Sequence, residues 1–285
     1  MVWLLVVSLL WAFSFGLIKG RLTTVDPALV AFIRLGLALV VLLPFFRPRA
    51  LGASATLRLA AIGAVQFGLM YVCYNAAFRA LEAYEVAALT IFTPVLVALF
   101  DGVLAGRTHW GVWLAAALAV AGAGIIVVNK PLAAVSWSGI ALVQGSNACF
   151  ALGQVAWRRW KLARPEVRDA HVFAALYAGA MVATLPFGWR ALSTVSQLTS
   201  SHWLTLSYLG IVASGIGFFL WNHGAARTRS GTLAVINNAK IPLSVACSVW
   251  VFGESADGFR LLVGSAAIVL AGGLAEWTGR RPATR

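Results

Sequence analysis

Apolar runs of membrane-spanning length follow one another along the whole chain, broken by short polar joints that hold most of the charge. A bilayer core requires about 20 predominantly apolar residues per helix. On that measure the pattern predicts spans at roughly 2–18, 27–46, 59–78, 84–101, 110–128, 137–157, 171–189, 203–222, 232–252 and 260–277. The fold class is therefore an all-α integral membrane protein with ten transmembrane helices. The stretch from Val2 onward lacks a basic n-region and a small-residue cleavage pattern, so it reads as a retained helix and not a signal peptide.

A weak internal repeat organises these spans. Phe13 to Gly16 (FSFG) echoes Phe150 to Gly153 (FALG), Gly68 to Asn75 (GLMYVCYN) echoes Gly215 to Asn222 (GIGFFLWN), and Pro94 echoes Pro242. The offsets are 137, 147 and 148 residues, in the same order along both halves. Residues 1–130 and 131–285 thus read as two five-helix repeats. Five is odd, so the second copy enters the membrane from the other side and the repeats are inverted. Inverted repeats with a midplane site between them are the architecture of secondary transporters working by alternating access.

Composition and charge sharpen the picture. Hydrophobic residues make up 61% and charged residues 11%, against about 25% charged in a soluble domain. The formal net charge of +13 raises nucleic acid as a partner, but the basic residues sit in short loops, where their role is orientation. The even-numbered loops and the C-terminal tail carry 14 Lys and Arg, the odd-numbered loops 6. That asymmetry places both termini in the cytoplasm. The basic run from Arg158 to Arg168 (RRWKLARPEVR) suits contact with anionic membrane lipids as well as topology. Cys73, Cys149 and Cys247 lie apart within spans, which indicates neither a disulfide framework nor a metal site, and no cofactor is expected.

Two cations fall inside spans. Arg34 lies about seven residues into the second, where an isolated charge costs about 2.5–3.5 kcal/mol to insert. Its guanidinium offers a fork to a substrate carboxylate; snorkelling to a headgroup or a structural ion pair is the alternative. Lys240 precedes Pro242 in the ninth span, beside Asn237 and Asn238. It offers a point charge for the same carboxylate, again with snorkelling or a buried pair as the alternative. Asn222, Gln144 and Asn147 add amides able to read an ureido or amide group, or simply to bond between helices. Trp11 and Trp221 lie deep enough, with Tyr71 and Tyr74, to wall a cavity for an apolar ring or chain, or to pack. Glu85, at the start of the fourth span, is a candidate proton or charge relay, or a complement to the helix dipole.

No ATP-binding glycine loop, paired catalytic carboxylates or repeated pore filter is present. An enzyme or channel is therefore not expected. LLWAFSF at 9–15, IRLGLALVVLLPF at 33–45, FTP at 92–94, AVAGAGII at 119–126, VASGIGFFLWNHGA at 212–225 and GTLAVINN at 231–238 resemble the drug/metabolite transporter superfamily, EamA type, carboxylate/amino acid/amine group. The resemblance implies a multi-pass transporter of the bacterial cytoplasmic membrane for a small carboxylate-bearing metabolite. It points first to biotin import, with export of amino acids or related metabolites as the alternative. Oligomeric state does not follow from it.

Overall fold

A computed structural model describes residues 2–48, 51–106 and 136–228, with scattered positions between 114 and 125 and between 237 and 270. Most of the predicted fifth, ninth and tenth spans, including Lys240 and Asn238, lies outside the described residues. The described chain is helical, with no strand among the described residues. Its helices are α1 (Val2–Arg21), α2 (Pro27–Leu42, extended by one 3₁₀ turn to Phe45), α3 (Ala53–Ala77), α4 (Ala83–Leu104), α5 (Trp137–Leu162), α6 (Phe173–Gly188) and α7 (Ser200–Ala225).

Among the described residues five helices, α1 to α4 and α7, are long and apolar enough to cross a membrane. Helix α5 has 26 residues, but Gln144, Ser146, Asn147 and Gln154 interrupt its apolar character. Helix α6 has 16 residues. Hydropathy set the helix ends too tightly. Helix α3 begins at Ala53, with Arg58 exposed in its first turns, and α5 runs on through Arg159 and Lys161. Basic residues in a last turn complement the helix dipole, so charge does not mark where α5 stops.

The starts are set by side-chain caps. Asp26 Oδ1 accepts from Ala28 N (2.9 Å) and Leu29 N (3.2 Å), with Pro27 in the first turn of α2. Ser136 accepts from Gly139 N at the start of α5 (3.2 Å). Reciprocal capping boxes open α4 (Glu82 and Glu85) and α7 (Thr199 and His202).

The bundle presents apolar side chains outward and keeps polar ones inside. Leu5, Leu9, Val40, Leu57, Val182 and Leu204 are exposed, whereas Arg34, Gln66, Asn75, Asn147, Gln154, Ser214 and Asn222 are buried. That polarity suits lipid as solvent. Without a hydrophobic force between helices, association rests on close packing, and α3 and α6 meet backbone to backbone. A Cβ on Gly63 would lie 1.9 Å from Leu176 O, and one on Gly179 would lie 1.9 Å from Ala60 O.

Helices α3 and α7 each contain a π segment, Ala64–Leu69 and Tyr208–Ile216. These stretches overlap the repeat blocks that begin at Gly68 and Gly215. In α7 the widened turn is held by Ser214 Oγ, which donates to Leu209 O at 2.6 Å. π turns free carbonyls and recur at functional sites.

Ionic contacts tie the helix ends at two faces. At one face Lys19 donates to Leu81 O (3.0 Å) and pairs with Glu82 (3.3 Å), and Asp26 faces Arg79 at 4.0 Å. The other face holds Arg159–Asp101 (3.0 Å) and the cluster of Asp169 with Lys161 (3.1 Å), His223 Nδ1 (2.7 Å) and Arg227 (3.1 Å). Arg47 N also donates to His171 O there (3.0 Å). Arg159 and Lys161, read from sequence as orientation and lipid charge, are therefore tertiary anchors.

Burial pushes the Asp169 carboxyl up, but hydrogen bonds from Lys161, Arg227 and His223 and the Lys161 charge outweigh it. They hold the carboxyl below the usual value of 3.8. A carboxyl lowered in the folded state makes the unfolded state the better proton binder, so its contribution is complete above the unfolded value and fades as pH falls through the folded one. Acid titration of the purified protein in detergent is expected to lower its melting temperature below about pH 4, with a shallower fall in Asp169→Asn. Parallel curves for the two proteins would remove Asp169 as the source.

Candidate functional site

A cavity lies where α1, α3, α4 and α5 converge, closed by Arg34 of α2 and Phe218 of α7. It holds about 540 Å³ of empty volume, counting its open mouth. Its apolar wall is Trp11, Phe15, Met70, Tyr74, Phe150 and Phe218, and its polar wall is Ser14, Thr90, Thr93, Ser146 and Asn147.

Arg34 supplies the charge. Its side chain is 2% exposed. Nε donates to Ser214 Oγ (3.4 Å), Nη1 to Asn75 Oδ1 (3.4 Å) and Nη2 to Tyr71 OH (2.8 Å). The guanidinium carbon also sits 4.1 Å from the centroid of the Tyr71 ring. All three acceptors are neutral, and among the described residues no carboxylate forms an ion pair with Arg34. A guanidinium carries five N–H donors, so two remain after these three bonds. A buried cation met only by neutral partners, beside a cavity, has the geometry of an anion receptor.

The partners of Arg34 are themselves fixed. Tyr71 OH and Ser214 Oγ lie 2.7 Å apart. Tyr177 OH donates to Ser214 O (2.6 Å), and Trp11 Nε1 donates to Ala213 O (2.9 Å), so side chains from α6 and α1 satisfy successive carbonyls of the α7 π segment. Trp11 then packs on Phe218 (centroids 4.7 Å apart) and Trp221 (5.0 Å). The π turn of α7 thus orients both the cation and the aromatic wall.

On the polar wall, three of the four hydroxyls already donate their protons. Ser14 donates to Leu10 O (2.9 Å), Thr90 to Ala87 O (2.8 Å) and Thr93 to Asn147 Oδ1 (3.3 Å). Asn147 Nδ2 is held by Leu89 O (2.8 Å) and Gln144 Oε1 (3.2 Å). A hydroxyl that has donated its proton keeps lone pairs to accept with. The cavity therefore combines a cationic donor with a set of acceptors suited to ligand N–H groups.

Of the residues selected from sequence, Arg34, Trp11, Tyr71, Tyr74 and Asn147 line this cavity. Gln144 stands behind it, holding Asn147 and donating to Leu89 O (3.4 Å). Trp221 braces Trp11 and donates to Gln154 Oε1 (3.3 Å). Asn222 is off the cavity, exchanging amide hydrogen bonds with Gln66 (3.1 and 3.4 Å) and accepting at its carbonyl from Trp157 (3.3 Å). Glu85 Oε2 accepts from Glu82 N (2.9 Å) within the α4 capping box. Asn237 is buried, and Lys240 and Asn238 lie outside the described residues. Thr90, Thr93, Ser146, Phe150 and Phe218 went unselected, because hydroxyls and phenyl rings are ordinary in membrane helices and only convergence distinguishes these.

The sequence profile described as the EamA-like transporter family matches residues 1–128 and 133–274. A biotin transporter of Salmonella typhimurium is 35% identical over 270 residues, covering 93% of this chain and 89% of its own. A biotin transporter of Escherichia coli K12 is 36% identical over 253 residues, covering 87% and 84%. A probable biotin transporter of Pseudomonas aeruginosa is 37% identical over 271 residues, covering 94% of each. One solved crystal structure aligns over 98% of this chain and 99% of its own at a TM-score of 0.64; its 20% identity speaks to the fold alone.

Proposed function

The chain belongs to the EamA-like transporter family and is a membrane transporter, not an enzyme, and from that premise we propose that it imports biotin by alternating access. The observation that carries the cargo is the pairing of an ion-free Arg34 guanidinium with a wall of mostly committed hydroxyls across an aromatic cavity. Biotin carries a carboxylate, an apolar chain and ring, and ureido N–H donors. Arg34 anchors the carboxylate, Trp11, Tyr74, Phe150 and Phe218 cover the apolar body, and Thr90, Thr93 and Asn147 accept from the ureido group. The identity of 35–37% to relatives that bear the name of biotin transporter supports the same cargo. Lys240, with Asn237 and Asn238, is assigned on sequence grounds as a second carboxylate and amide contact.

Ten helices in two inverted repeats supply the mechanism. Several features support this arrangement. The family profile matches two successive segments of similar length, and π segments recur at equivalent places in α3 and α7. Helix packing also exchanges with the halves: α1 on α7 mirrors α5 on α3, α2 on α7 mirrors α6 on α3, and α2 on α6 mirrors itself. Positive charge concentrated in the even-numbered loops orients both termini toward the cytoplasm of a bacterial inner membrane.

The test is uptake of radiolabelled biotin at nanomolar concentration into auxotrophic cells that lack their own importer, with Lys240→Ala in parallel. Saturable uptake that competes with unlabelled biotin is expected, with strong loss in the variant. No uptake despite confirmed membrane expression would overturn biotin as cargo and favour metabolite export. Full uptake in Lys240→Ala would remove that lysine from the site.

A further inference from the structure

Two charge clusters outside the cavity are related by the repeat. Asp169 precedes α6 as Asp26 precedes α2; Arg227 follows α7 as Arg79 follows α3; Lys161 ends α5 as Lys19 ends α1. The spacings are 143, 148 and 142 residues, within the range that relates the sequence motifs. Inversion sends the clusters to opposite faces, as the end contacts of the bundle require.

Each cluster also bridges the same division in the packing. Helices α1 and α2 pack along α7, whereas α3 packs along α5 and α6, and α4 along α5. The two groups meet along α2, which crosses α6 and touches α3, and where α1 touches α4, and the cavity lies between them. Asp169–Arg227 joins α6 to α7, Asp26–Arg79 joins α2 to α3, and Lys19–Glu82 joins α1 to α4. All three are ties across the division.

The clusters differ in tightness. Asp169 has a side chain 3% exposed and ionic partners within 3.1 Å. Asp26 and Arg79 are 41% and 53% exposed and 4.0 Å apart. On the Asp169 side, the Gln66–Asn222 amide pair, the buried Trp157 and the stacked Phe67 and Tyr177 fill the interior. On the Asp26 side, a second small cavity runs from Asn75, the partner of Arg34, to Arg79. The Asp169 cluster is therefore the tighter and more buried of the two, while the Asp26 face is held mainly by Lys19–Glu82 at 3.3 Å.

We infer that the two clusters are reciprocal latches of the transport cycle: Asp169 with His223 and Arg227 holds one face shut, and Asp26 with Arg79 closes when that hold is released. The inference rests on the alternating-access reading above, not on the cargo. Breaking either latch biases the equilibrium between states, and repeat-related latches must bias it in opposite directions.

Labelling of a single cysteine tests this. Ser146→Cys, in the cavity wall, is placed in a chain with Cys73, Cys149 and Cys247 replaced, and a membrane-impermeant maleimide is applied to vesicles of each orientation. Arg227→Gln with His223→Gln is expected to raise the labelling rate from the Asp169 face at least threefold and to lower it from the other face. Arg79→Gln is expected to do the reverse. Arg227 and Arg79 are each about half exposed, so their replacement spares the core; if the double variant does not reach the membrane, Arg227→Gln alone reports the same shift. Labelling that moves in the same direction for both latches, or in neither, overturns the inference while leaving alternating access intact. A cysteine reached from one face only in every variant, wild type included, strikes at alternating access itself.

Discussion

Arg34→Met is expected to abolish substrate transport while leaving the protein at least as thermally stable as the wild type. The two halves of that result have separate causes. Removing one member of a buried charge-assisted pair costs about 2–5 kcal/mol of binding, a weakening of roughly 30-fold to several thousand-fold in carboxylate affinity. In the unliganded protein, however, the guanidinium is desolvated and met only by Tyr71, Asn75 and Ser214. Removing a buried charge that has no ionic partner lifts its desolvation cost, and Tyr71 OH and Ser214 Oγ keep each other as hydrogen-bond partners at 2.7 Å. A structural role for Arg34 predicts the opposite pairing, loss of stability together with loss of transport. Measuring uptake and melting temperature on the same preparation separates the two. Arg34→Lys keeps the charge but not the fork, so partial transport is expected, with the larger change in apparent affinity.

A single methyl group at Gly179 is expected to have the largest effect on assembly. The added Cβ of Gly179→Ala would lie 1.9 Å from Ala60 O, an atom of helix backbone that no rotamer can move. Helices α3 and α6 must separate, and the reciprocal contact of Gly63 with Leu176 is lost with them. Overpacking in a close-packed core costs about 1–3 kcal/mol, and two backbone contacts fail here at once. Gly36→Ala is the matched control, because its added Cβ meets only the end of Met181 at 3.7 Å. That substitution is expected to be neutral or to gain a few tenths of a kcal/mol from helix propensity. Size-exclusion profiles in detergent should show aggregation or loss for Gly179→Ala and a wild-type peak for Gly36→Ala. Equal profiles would mean that the α3–α6 contact is looser than its geometry indicates.

Part of the candidate site is legible in the sequence. A guanidinium inside an apolar span has few purposes, because lipid penalises it unless something inside the protein uses it; Arg34 was singled out on that ground and lines the cavity. Trp11, Tyr74 and Asn147 were found by depth and polarity. The same reasoning could not separate Asn147, which faces the cavity, from Asn222, which is spent on Gln66. An amide in a membrane helix is polar in either role. Nor could it find Ser214, whose importance comes from a π turn that aims its hydroxyl at both Arg34 and Tyr71.

The sequence alone determined that the chain is a helical membrane protein with about twenty-residue spans, which loops are basic, and that Arg34 and Lys240 are the cations within spans. Each of these follows from a local free energy of transfer between water and lipid, which composition and spacing record directly. Tertiary structure alone decided which neutral groups surround Arg34, which hydroxyls share its cavity, and that Arg159 and Lys161 are ion-paired anchors and not only topological charge. Those outcomes depend on contacts between helices far apart in the chain, and helix association in lipid is governed by backbone fit at residues such as Gly63 and Gly179. Hydropathy cannot express that fit, because it assigns a glycine the same value wherever it packs.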